Sequence, residues 1–139
     1  MGLLQSLKQA FSNHCETADH HDNDQLRTHY YKATTANAFT AIKKLVEELD
    51  GFELLSASEE HGEISVNIKK GKKAFMVISV VSLRPFETAV DFSVTTETVF
   101  IPFDFGYSKE LVKKMYELLD QKLVLMKTGQ SLTKQSRFQ

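Results

Sequence analysis

Twelve residues near the start of the chain, NHCETADHHDND from Asn13 to Asp24, concentrate the side chains best suited to metal chemistry. They hold the single cysteine, Cys15, and three of the five histidines, His14, His20 and His21, with Asp19, Asp22 and Asp24 between them. Zinc takes four ligands converging tetrahedrally, usually supplied as two spaced pairs. Here His14 and Cys15 are adjacent, as are His20 and His21, and neighbouring side chains on a helix do not face one another. Cys15 and His20 make at most an open, weak pair. The Asp22-Asn23-Asp24 run does not continue into a calcium loop, which needs a glycine and a distal glutamate at set positions. The stretch is therefore read as a polar strap without a metal.

Other charged clusters have plain explanations as well. Lys69–Lys73, KKGKK, puts four lysines around a glycine and could meet phosphates or an anionic membrane surface. It also suits a hairpin tip whose lysines discourage edge pairing, and no aromatic platform accompanies it as single-stranded nucleic-acid sites prefer. Glu59, Glu60, His61 and Glu63 mark another turn facing water. Asp104, in PFDFGY, is read as a turn cap. Cys15 as a nucleophile would need a base held in geometry, which sequence-adjacent His14 does not supply. There is no G-x-S-x-G, P-loop, G-x-G-x-x-G or H-E-x-x-H pattern. No catalytic, cofactor-binding or metal-ligating residues are expected, and no cofactor. The opening MGLLQS fits the permissive myristoylation pattern, but the bacterial resemblance given below speaks against that use.

With 139 residues the chain can bury a core without disulfides. Hydrophobic residues make up 42% and charged residues 25%, with a net charge of -1, so no long-range field draws the molecule to nucleic acid. A lone cysteine suits a reducing compartment, and the expected location is the cytoplasm. The longest strongly apolar run, Ala74 to Leu83, is half of what a spanning helix needs, so no stable membrane insertion is expected.

These residues must be positioned by a small set of elements. Leu3, Leu4, Leu7, Ala10 and Phe11 lie on one side of an N-terminal amphipathic helix, residues 1–12. A polar linker over 13–25 follows. Residues 26–32 read as a short strand, and Thr34 or Thr35 caps a helix carrying Phe39, Ile42, Leu45, Val46 and Leu49. That helix ends at Asp50-Gly51. Strands are expected over 52–59, 63–69, 74–82 and 86–95. A last helix runs from an N-cap at Ser108, with Glu110 in its first turn, through Leu111, Val112, Met115, Leu118, Leu119 and Val124 or Met126 to Gly129. Its inward stripe is expected to be wholly apolar. One α+β domain over 26–129 results, with an antiparallel sheet of about five strands in β-α-β-β-β-β-α order, followed by a loose tail over 130–139.

From Arg27 to Met126 this order, with the segments KGKKAFMV, RPFETAVDFSV and PFDFGYS, resembles uncharacterised families of small cytosolic bacterial proteins. It also resembles the helix-grip and TATA-binding-protein-like folds. The resemblance implies the fold and carries no activity. In strand 74–82, Phe75, Val77 and Val81 form one apolar row, and Met76, Ile78 and Val80 form another. One row must point away from the helices, where either the N-terminal helix or a second copy would cover it. The expected function is a non-catalytic interaction or self-association module, a homo-oligomer or protein binder working through the open face of its sheet. The alternative is a helix-grip binder of a small hydrophobic ligand, its pocket lined by some of the ten phenylalanines.

Overall fold

Residues 14–96 and 106–130 are described in a computed structural model. The expected N-terminal helix, the Asp104 cap and all but the first residue of the expected tail lie outside them. Seven strands form a single sheet: β1 (His14–Glu16), β2 (His29–Tyr31), β3 (Phe52–Ser58), β4 (Glu63–Ile68), β5 (Ala74–Arg84), β6 (Glu87–Thr96) and β7 (Leu125–Thr128). Helix α1 spans Thr35–Glu48 and α2 spans Tyr107–Asp120. The spatial order is β3-β4-β5-β6-β2-β7, and β1 lies beside β6 as well. All strand pairs are antiparallel.

The central meander follows from alternation in the sequence. Ile64, Val66 and Ile68 of β4 stand opposite Ile78, Met76 and Ala74 of β5. Val80, Ile78 and Met76 in turn face Val90, Phe92 and Val94 of β6. All are buried beneath the helical layer. Helix α1 starts where the Thr34 hydroxyl accepts the Asn37 N–H, 3.1 Å away. It buries Ala38, Phe39, Ile42, Leu45 and Val46. Its exit is made by Gly51 at φ 82°, a left-handed conformation suited to glycine.

Several expectations are corrected. The polar stretch is not solvated along its whole length, because its start is drawn into the sheet. His14, Cys15 and Glu16 pair with Thr95, Val94 and Ser93, and Cys15 is buried against the core. A 3-10 turn at Asp24–Leu26 buries Leu26, so the domain begins before residue 26. Among the described residues the sheet has seven strands rather than about five, because β1 and β7 find partners in β6 and β2. Helix α2 ends at Asp120, far short of Gly129. Val124, Leu125 and Met126 are exposed on or beside β7 rather than lining a helix stripe. Gly129 passes so close to the chain that an added Cβ would lie 2.0 Å from the Asp19 carbonyl oxygen. Gly106, not Ser108, is the N-cap of α2, and Ser108 is buried inside the first turn. Glu110 does lie in that turn.

Candidate functional site

The KKGKK turn sets the register that decides which apolar row of β5 meets the helices. Met76, Ile78 and Val80 point inward and are buried. Phe75, Val77 and Val81 therefore point to the opposite face, where Phe75 keeps 43% and Val81 52% of its surface in contact with solvent. Neighbouring strands surround this apolar row with polar groups. Ser65 and Asn67 of β4 stand opposite Val77 and Phe75, and Asp91 and Ser93 of β6 stand opposite Ser79 and Val77. All four are half-buried. Both helices carry their apolar stripes into the other side of the sheet, so among the described residues no helix covers this face.

Asp91 occupies a gap in that face, between the end of β1 and the start of β2. The Thr17 and Thr28 hydroxyls both donate to its Oδ1, at 2.7 and 2.6 Å. Burial pushes its carboxyl above the usual range, with Asp19 and Glu16 adding to the rise, while the two threonine hydrogen bonds oppose it. Farther along, Asp19, Tyr30, Leu83, Lys127, Thr128, Gly129 and Gln130 line a shallow cleft of about 260 Å³. The Tyr30 hydroxyl donates to Asp19 there. The Lys127 ammonium sits 5.1 Å from the centre of the Tyr30 ring and 3.3 Å from Glu87.

A polar cluster lies on the helical side, where a wholly apolar stripe was expected. Tyr31, fully buried on β2, donates its hydroxyl to Asp120 Oδ1 at 2.6 Å, and His29 Nδ1 lies 3.0 Å from the same oxygen. The His29 ring stacks on Tyr116 of α2, with centroids 3.6 Å apart, and Tyr116 meets Phe92 edge-on at 4.8 Å. The Tyr116 hydroxyl donates to the Val90 carbonyl at 2.8 Å and lies 3.2 Å from Thr17 Oγ1. Burial lowers His29 from the ordinary imidazole value, and the Asp120 hydrogen bond and charge pull it back up. Burial first, then Asp120, raises Tyr31. Sequence spacing hid this cluster because its members lie on β2 and α2, about 90 residues apart. The one signal was a histidine directly before two tyrosines in a strand.

The residues of the opening stretch are dispersed. Cys15 points into the core, whereas His14 Nδ1 lies 2.6 Å from Thr95 Oγ1. His20 pairs with Asp19 at 3.2 Å, and His21 Nδ1 accepts the Asn23 N–H at 3.0 Å. Among the described residues no three His, Cys, Asp or Glu side chains converge to hold a metal. In the lysine turn, Lys69 pairs with Glu53 at 2.9 Å and Lys70 with Asp50 at 2.8 Å. His61 lies 2.8 Å from the Ser58 hydroxyl. No helix among the described residues is long and apolar enough to cross a membrane. No family model, curated protein or solved structure matches this chain.

Proposed function

We propose that the chain is a non-catalytic interaction module whose working surface is the open face of its sheet, and that a second copy is the simplest partner for that face. The carrying observation is the Phe75–Val77–Val81 row on the side opposite both helices, with Phe75 and Val81 exposed and Val77 half-buried. An apolar patch rimmed by polar groups is the usual composition of an association surface. A two-fold axis through such a face makes it self-complementary. The sheet edges are poorer candidates. Strand β3 is broken by a register shift between Leu54 and Ser56, and β7 has only four residues with a shift in its pairing. Short, bulged edges discourage edge-to-edge association. A cytoplasmic setting fits the lone thiol.

The second reading, a binder of a small hydrophobic ligand beneath α2, draws on the polar cluster there. His29 stacked on Tyr116, and Tyr116 edge-on to Phe92, occupy part of that layer with packed rings, which favours the interaction module. Sedimentation of the full chain over a concentration series tests the proposal. Reversible dimerisation is expected, and a lysine placed in the patch should weaken it about tenfold or more, since a desolvated charge costs upwards of about 1.4 kcal/mol. Folded Val81→Lys and Phe75→Lys proteins that associate as the wild type does would overturn it.

A further inference from the structure

We propose that Asp91 gates self-association through the open face: while its carboxyl is charged two copies are held apart, and a proton taken up there lets them close. This rests on the reading of that face as a surface for a second copy and adds what regulates it.

Asp91 sits on β6, with β5 and its apolar row on one side and the break between β1 and β2 on the other. It is half-buried. Among the described residues both hydrogen bonds to its carboxyl, from Thr17 and Thr28, go to Oδ1. Oδ2 is therefore the oxygen left to take the proton.

The groups packed around it favour the neutral form. Burial first, and then Asp19 and Glu16, strengthen its hold on a proton against the two threonine bonds. The β5 side is uncharged, with Ser79 opposite and Val77 and Val81 on the diagonals. From β2, Tyr30 gives its hydroxyl to Asp19. Farther along β6, Glu87 is held by Lys127 of β7 at 3.3 Å and by Arg84 at 3.5 Å. From α2, Tyr116 reaches Thr17 at 3.2 Å, and His29, stacked on Tyr116, feels the charge of Asp91. His14 on β1 lies 3.5 Å from Glu16.

Pairing about a two-fold axis sets the face against its own copy, and like charges brought together there repel. A carboxylate only accepts hydrogen bonds, whereas a protonated carboxyl also donates. Ser65, Asn67, Ser79 and Ser93, which share this face, both donate and accept. A neutral Asp91 thus completes a surface able to pair with itself. Loss of water on pairing raises the proton affinity of Asp91 further. The dimer then binds more protons than two separate copies, and association strengthens as pH falls.

Sedimentation of the full chain at about pH 8 and about pH 5.5 tests this beside Asp91→Asn, with circular dichroism confirming the fold at each pH. The asparagine oxygen still accepts both threonine hydroxyls. The wild type should associate about tenfold or more tightly at the lower pH, and Asp91→Asn should match that tighter value at both. Wild-type association that is equal at the two pH values overturns the proposal and leaves the face as a surface for a second copy. A pH dependence that folded Asp91→Asn keeps in full does the same, and places the proton on another group such as His14. Should Asp91→Asn fail to fold, salt decides with the wild type alone. Screening the repulsion should tighten association at the higher pH and not at the lower, and an equal response at both overturns the proposal. No dimer under any condition overturns it together with the reading on which it rests.

Discussion

At the scale of single residues, the sharpest consequence of the buried cluster is a pH dependence. His29 holds its proton less tightly in the folded chain than in the unfolded one, burial outweighing the help from Asp120. An unfolded histidine protonates near pH 6.5. Below that value the unfolded state binds more protons than the native state, so stability falls as pH falls. His21 is lowered as well, again chiefly by burial, and has the same sign. Asp91 has the opposite sign. Its raised folded value means that its contribution is intact in acid and is lost as pH rises through that value. Urea unfolding should therefore show wild-type stability declining from about pH 7 to about pH 5.5, with a shallower decline in His29→Gln, which keeps the contribution of His21. Parallel profiles would refute the assignment of the decline to His29. None of this was legible in the sequence. His29 reads as one more residue of an aromatic strand, and its partner Asp120 reads as the solvent side of a helix. Only the pairing of β2 with β6 beneath α2 joins them.

At the scale of elements, the sequence is informative where local pattern and tertiary need agree. Strands β3 to β6 and the Thr34 cap all carry their period or their punctuation within one segment. It fails where pairing is non-local. His-Cys-Glu has no strand signature, and β1 exists because β6 offers it a partner. The apolar spacing through Val124 and Met126 suits a continuing helix. The chain leaves α2 at Asp120 instead, whose carboxylate meets Tyr31 and His29, and the Lys32 N–H then takes the Val124 carbonyl at 2.8 Å. Within α2 the two adjacent leucines should separate cleanly. Leu119 is fully buried and Leu118 only partly. Leu119→Ala is expected to cost about 2–5 kcal/mol, and Leu118→Ala about 1 kcal/mol by its smaller loss of buried area. Equal shifts in urea midpoints would show that α2 is rotated from the position described.

At the scale of the whole molecule, β6 is the organising strand. It is flanked on one side by β5 and on the other by β1 and β2 end to end, with the Asp91 carboxylate bridging Thr17 and Thr28 across the break. This arrangement sets an order of assembly. Strands β3 to β6 join through successive short turns, so their loops close early and at small entropic cost. The segment from His14 to Tyr31 is made before the meander, yet it has nothing to pair with until β6, dozens of residues later, has formed. Contacts of such long sequence separation form late and slow the overall rate. During synthesis the earliest strands wait as an exposed, unpaired ribbon while the meander completes itself. Native-state hydrogen exchange should show the same hierarchy in reverse, with the amides of β1 opening at lower free energy than those shared by β5 and β6.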